Sequence, residues 1–453
     1  MNARQHVDRA VDELLHFRPE VVEASDAALA ADPTFPMAIA LRAYLGLLTT
    51  EASDALATRT FLADARPSAP TPHDQAHLDA VQRLAAGDFH GAGRTLADLT
   101  VEYPRDALAL AVGHQLDFFT GNATSLRDRV GAALTAWHPD DSHYPNVLGM
   151  YAFGLEEAGH YDRSEDVGRE AVERDPKDVW GIHAVAHTYE MQGRFGDGIR
   201  YLDDRVPDWS AGTFFNVHTW WHYGLFALEA GDRDRALAIY DSVLHGPQSS
   251  GLSLELLDAA ALLWRFALAG DPQPERFAAL VEPWQARTAE AFYAFNDAHA
   301  VMAYVGAGRY DLADALIADR VAWLGTDRTG VSNQAMTARV GVPVCRALVA
   351  FGRGQYDAVV DLLVPIRGYV NEFGGSHAQR DAVYKTLVEA SLRAGRLPLA
   401  RALVSERLSV RPSSPYNWLK QAEVARALGD EAAAVAAAGR AAELAHQGTM
   451  RSS

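Results

Sequence analysis

Two histidines four residues apart, His183 and His187, stand in the stretch "WGIHAVAHTYEMQG" with Glu190 three residues further on, and the spacing returns in "NVHTWWHYG" at His218 and His222. Residues at i and i+4 share one face of a helix, so each pair presents two imidazoles side by side. Zinc accepts that geometry, and a catalytic zinc takes two or three such ligands plus a carboxylate and an open position. Residue 184 is Ala184, so the glutamate of a His-Glu-x-x-His protease helix is absent. Without metal, the same rings could pass protons near neutral pH, with Glu190 or Asp297 orienting an imidazole and fixing its tautomer. Tyr151, Tyr189 and Tyr223 could add hydroxyls. A third reading involves no chemistry: each pair is a buried, hydrogen-bonded contact that holds neighbouring helices in register.

The choice depends on whether distant pairs meet, and so on the elements that carry them. Glycine followed by a short polar or aromatic run recurs at Gly87, Gly121, Gly159, Gly193 and Gly231, spaced 34, 38, 34 and 38 residues apart, and again at Gly308, Gly354, Gly395 and Gly429, spaced 46, 41 and 34. A period of 34 is that of tetratricopeptide repeats. Each unit is a helix, a glycine turn and a second helix; neither helix buries its apolar stripe alone, so successive hairpins stack around one continuous core. Glycine accepts the left-handed conformation that ends the first helix. "ERDPKDVW" and "VRPSSPYNW" stop the second helix with proline and supply an Asp or Ser to cap the next. No stretch alternates like a strand over more than four or five residues. The pattern predicts an all-α, tetratricopeptide-like superhelix (an α-solenoid) of about nine or ten hairpins, forming one domain over residues 1–453. Within it, helical hairpins occupy 1–80, the repeat array 80–430, and a capping helix (431–445) with a frayed tail "GTMRSS" the remainder to 453. Irregular segments at 246–251, 325–335 and 371–376 coincide with stretched spacings, and such insertions tend to project from the binding face.

Composition narrows the partners. A formal charge of −18, with no cluster of five Lys or Arg, repels nucleic-acid backbones and anionic membranes. The single cysteine, Cys345, sits in an apolar stretch and suits a reducing compartment, and no apolar signal region opens the chain. A cytoplasmic protein with no nucleic-acid or membrane partner is expected. Phosphate loops, dinucleotide fingerprints, nucleophile elbows and Cys-x-x-Cys pairs are all missing.

Six segments, among them "HAVAHTYEM", "HTWWHYGLFALEAGDRDRALAIYD", "FNDAHAVMAY" and "GGSHAQRDAVY", occur in order between roughly residues 80 and 418 and resemble the tetratricopeptide repeat protein 38 family. The resemblance implies a helical-repeat fold and no particular activity. The family's pattern includes histidines matched by His183, His187 and His222, a run matched by Asn296, Asp297 and His299, and a run matched by Gln379, Arg380 and Asp381. Where the family typically has Cys-His-Asn, this chain has Asn216, Val217 and His218.

His114, His183, His187, His222 and His299 all fall 6 to 10 residues before a glycine pivot, on first helices that line the concave side of such a superhelix. Neighbouring first helices pack about 10 Å apart, so these imidazoles, with Glu190, Asn296 and Asp297, are expected to converge there. "FGGSHAQRD" adds an anion pocket, with Ser376 and Gln379 forming a capping box and Arg380 able to clamp a carboxylate or phosphate, unless it pairs with a neighbouring acid. Trp220, Trp221, Trp264 and Phe295 read as core and groove wall, with Trp220 or Trp221 exposed since both cannot face inward. The resulting expectation is a binding protein whose histidine-rich concave groove, with Tyr151, Glu190, His218 and Trp221 on its walls, holds a small acidic metabolite or a peptide segment. The alternative is an enzyme using His183, His187, His222, Asp297 and His299 by acid/base chemistry, or a divalent metal such as zinc held by His183, His187, His218 and His222.

Overall fold

The apolar residues of this chain recur at helical spacing and its glycines at hairpin spacing, and the computed structural model, which describes residues 1–326 and 328–449, is helical throughout with no strand among them. Among the described residues twelve helical hairpins follow one another, two or three more than the glycine period predicts. The difference has a local cause. The turns of the first two hairpins place Phe17 (φ 55°) and Thr50 (φ 61°) in the left-handed conformation where later repeats use glycine, and Gly270 (φ 81°) marks one further turn between Gly231 and Gly308. The cap at 431 continues to Thr449, and the expected tail lies outside the described residues from Met450 on.

Six first helices carry the candidate site residues and their partners: α1 (Tyr144–Glu157), α2 (Val179–Gln192), α3 (Asn216–Glu229), α4 (Ser253–Leu268), α5 (Ala294–Gly306) and α6 (His377–Arg393). They are buried on nearly every face: α2 exposes almost nothing, whereas the second helix of the preceding hairpin, Tyr161–Arg174, buries only Ser164, Gly168, Ala171 and Val172. First helices thus form the inner layer and second helices the wet outer one.

The array closes on itself. Asn371 Nδ2 donates to Gly121 O at 3.0 Å, Ser332 N to Gly87 O at 2.9 Å, and Ser253 N to Glu51 Oε1 at 2.7 Å, so loops of later hairpins seat on turns of early ones. Two of the three irregular segments, which were expected to project from a binding face, instead supply two of these seams. Inside, α6 packs across the hollow onto α4, where Trp264 Nε1 donates to Thr386 Oγ1 at 2.9 Å and Arg265 Nη2 to Ala378 O at 2.6 Å. The helical run Ser332–Gly352 is long and apolar enough to cross a membrane, but 67% of it is buried against its neighbours, as befits a core helix.

Candidate functional site

The inner layer brings the two histidine pairs together. Ring centroids of His183 and His187 on α2 lie 4.3 Å apart, His187 and His222 4.4 Å, His183 and His218 5.0 Å, and His218 and His222 4.8 Å. One nitrogen from each of the four falls within 4.8 Å of the other three. The i, i+4 spacing aligns each pair, and the stacking of α2 against α3 faces one pair to the other. His187 and His222 are fully buried, and only His218 keeps some exposure, 15% of its side chain.

The outer nitrogen of three rings lies against an acid. His222 Nδ1 donates to Glu190 Oε2 at 2.8 Å, His218 Nδ1 to Asp258 Oδ2 at 2.8 Å, and His187 Nδ1 lies 3.3 Å from Glu156 Oε2. In His218 and His222 the carboxylate fixes the proton on Nδ1 and leaves a lone pair on Nε2, whereas His187 Nδ1 makes no hydrogen bond. The Nε2 atoms face one another: Nε2 of His187 and of His222 have no hydrogen-bond partner, and Nε2 of His183 and His218 sit 3.2 Å apart, where at most one proton is available. Burial, more than the neighbouring rings, holds the imidazole pKa values of His183 and His187 well below the ordinary one; burial also lowers that of His222 against the pull of Glu190. Neutral imidazoles with inward lone pairs are what a cation ligates. Glu156 is fully buried with both oxygens lacking hydrogen bonds, and burial, then Glu157 and Glu190, push its pKa well up.

A second cluster of similar composition shows the contrast. His73 and His77 both put Nε2 on Asp106 Oδ2, at 2.6 and 2.8 Å, and the hydroxyl of Tyr44 lies 3.2 Å from His77 Nδ1. There each inward nitrogen has an acceptor, and the arrangement ties neighbouring repeats together.

Other expected site residues lie elsewhere. Asn296, Asp297 and His299 do not converge: neighbours one and two apart on a helix are rotated by about 100° and 200°, so Asp297 faces away from both others, and Asn296 and His299, on the same side, take separate backbone partners. Asn296 Nδ2 donates to Thr50 O at 3.2 Å, His299 Nδ1 donates to Phe295 O at 2.8 Å, and Asp297 takes Arg320 Nε and Nη2 at 3.0 and 2.9 Å. Asp297 therefore does not orient an imidazole; it forms a buried ion pair between α5 and the following helix. Arg320→Met, which strands that carboxylate, is expected to cost about 3–5 kcal/mol of stability in a denaturant titration while leaving the histidine cluster untouched. Tyr151 stands under Arg163, whose guanidinium carbon is 5.3 Å from its ring centroid, and lies away from the cluster.

The capping box forms as expected, with Gln379 N donating to Ser376 Oγ at 3.2 Å and Ser376 N to Gln379 Oε1 at 3.0 Å. The anion at this helix start is the protein's own. Glu157 accepts from His377 N at 2.7 Å and from Arg380 Nη2 at 3.2 Å, so Arg380 is not free to clamp a ligand. Trp221 is fully buried, stacked on His218 with centroids 5.2 Å apart, while Trp220 is the partly exposed one of the two. The residues that sequence reasoning missed are Asp258 and Glu156. Each sits among apolar residues of a buried first helix, but Glu157 beside Glu156 and Glu255 three residues before Asp258 carry the same signal, so the sequence does not single them out.

No family model matches the chain. Solved structures similar to it are helical-repeat proteins: the human IFIT1 dimer with m7Gppp-AAAA is 13% identical with a TM-score of 0.40, covering 98% of this chain and 94% of that one. The APC/C hetero-tetramer Cut9-Hcn1 gives 12% and 0.35, covering 99% and 96%, and yeast Tom70 gives 13% and 0.34, covering 100% and 86%. The tetratricopeptide-like architecture rests on the chain's own helical hairpins and their left-handed turns.

Proposed function

We propose that the chain is a helical-repeat binding protein holding one divalent transition-metal ion, of the zinc class, between His183, His187, His218 and His222. The supporting observation is the pair of inward nitrogens, Nε2 of His187 and of His222, that have no hydrogen-bond partner beside the His183–His218 contact, with carboxylates on the outer nitrogens of His222 and His218. A carboxylate behind a metal-bound histidine fixes its tautomer and raises its basicity. Tetrahedral zinc at about 2.0–2.1 Å would set the nitrogens about 3.4 Å apart, which small ring rotations reach from the present spacing. The carboxylates of Glu190 and Asp258 also offset the charge of a divalent ion in a buried setting.

Burial separates the candidate ligands by size. An ion fits among four rings that are almost wholly buried, whereas a peptide laid along a groove needs an accessible wall. A small acidic molecule remains compatible as a further metal ligand approaching past His218, the one ring with access to solvent, and metal-assisted chemistry on such a molecule is the enzymatic form of the same proposal. Membership in the tetratricopeptide repeat protein 38 family and a cytoplasmic location belong to this reading as well. Elemental analysis of tag-free protein, purified without chelators and resupplied with zinc, is expected to give about one equivalent per chain. Retention of no zinc, copper, nickel or cobalt after dialysis would falsify it and leave the cluster as packing.

A further inference from the structure

The outer side of α2 carries a second concavity. Tyr189 and His187, two apart, point to opposite sides of that helix. Where Tyr189 emerges, a cavity of about 400 Å³ is lined by Arg169, Arg194, Arg200 and Arg205 together with Tyr189 and Tyr201. The chain as a whole carries −18, yet here four guanidinium groups surround one hollow against two lining acids, Asp197 and Asp204.

The local acids do not use up the donors. Asp197 accepts from Arg194 Nε at 2.8 Å and is also bonded by Arg200, and Glu165 takes Arg194 Nη1 at 2.6 Å and the Tyr189 hydroxyl at 2.8 Å. Arg205 has its acid, Asp208, only at 3.9 Å. Two polar atoms are left buried with no partner at all: Nη1 of Arg200 and the hydroxyl of Tyr201, a residue only 7% exposed. Buried donors of this kind call for an explanation, and a purely structural Arg–Tyr–Glu network does not give one. The guanidinium carbons of Arg169 and Arg205 lie 5.6 and 5.2 Å from the ring centroid of Tyr201, so the ring stiffens two long side chains in place before anything binds.

We propose that this cavity binds the phosphate monoester group of a small molecule. A phosphate monoester brings close to two negative charges and three acceptor oxygens, which suits several planar guanidinium forks plus a hydroxyl; a single carboxylate brings one charge and two oxygens. The volume is in the range of small-molecule sites. An adjoining hollow of about 190 Å³, lined by Arg194, Arg200, Phe195 and Pro415, gives the organic part of the molecule room to extend. The site uses different residues from the metal cluster and stands independently of it.

The test is calorimetric titration of the full chain at low ionic strength with phenyl phosphate, inorganic phosphate and benzoate. Saturable one-to-one binding of phenyl phosphate and weaker binding of benzoate are expected. Tyr201→Phe, which keeps the ring and removes only the hydroxyl, should weaken phenyl phosphate about tenfold, and Arg205→Met at least as much. Glu190→Gln, beside the metal cluster, should leave phosphate binding unchanged. Inorganic phosphate bound as tightly as phenyl phosphate supports the phosphate chemistry with free phosphate as its source; tighter phenyl phosphate supports the monoester. The proposal is overturned if phenyl phosphate does not saturate below about 10 mM, a concentration past which binding is too weak to count as recognition, or if Tyr201→Phe binds it as well as the wild type does.

Discussion

His222→Ala is expected to strip the protein of its metal: after dialysis the variant should keep less than about a tenth of an equivalent of zinc where the wild type keeps about one. The ring is fully buried and its Nε2 is one of the two inward nitrogens with no partner. Alanine also removes the donor to Glu190 and leaves that carboxylate buried without its 2.8 Å hydrogen bond, so a fall in stability accompanies the loss. Two gentler substitutions separate metal binding from packing. Glu190→Gln and Asp258→Asn retain an oxygen that accepts from the imidazole while discarding the negative charge behind it. Each should weaken zinc about 10–100-fold with the metal-free melting midpoint nearly unchanged. Conversely, free zinc at about a thousand times its Kd should stabilise the wild type by about 4 kcal/mol. A cluster that is only packing predicts the opposite pattern: His222→Ala loses stability, and zinc moves neither protein.

Helical spacing made the histidine cluster legible, because i, i+4 pairs on successive first helices of a repeat can only face one another across the inner layer. The partners of those rings were not. Asp258, Glu156 and Glu190 are three of 59 acids, and Glu190 alone lay close enough in sequence to His187 to attract notice. The Asn296–Asp297–His299 run misled for a geometric reason, since Asp297, one and two residues from the other two, faces away from both. Glycine marked most turns. Phe17 occupies the same left-handed position in the first hairpin, against the steric preference of a bulky residue, so a count keyed to glycine passes over it. Its ring stacks on Trp180 at 5.2 Å with an interplanar angle of 8°, a contact across 163 residues that the repeat period does not foresee. The expected anion pocket at Arg380 failed for the same reason of distance: Glu157, which fills it, is 223 residues away. Repeat periodicity describes each hairpin and its neighbour, but closure of the array brings together hairpins far apart in the chain.

That closure carries a cost in acid, and the second large effect arises from it. His114 and His299 stand on inner helices outside the four-ring cluster, and burial drives their pKa values down from 6.5 to about 3 and about 4. Trp180 Nε1 donates to His114 Nε2 at 3.2 Å, which requires that nitrogen to be unprotonated. Each folded-state pKa is thus depressed below its unfolded value. As the pH falls through 6.5 the unfolded chain takes up a proton on each ring and the native chain does not, so the equilibrium shifts toward unfolding. The contribution of these rings is complete above pH 6.5, declines by about 1.4 kcal/mol per pH unit for each ring below it, and stops declining near pH 4 for His299 and near pH 3 for His114. Denaturant midpoints measured at pH 7, 6 and 5 on metal-free protein should therefore fall steeply over this range. In the double variant His114→Gln, His299→Gln the amide oxygen at position 114 still accepts from Trp180, and neither side chain titrates. Its acid limb should be shallower than that of the wild type by up to about 2.7 kcal/mol per pH unit between pH 6 and 5, even if its stability at pH 7 is lower. Parallel profiles for the two proteins would mean that these rings reach solvent or protonate in place, and that the inner layer is less tightly closed than its hydrogen bonds imply.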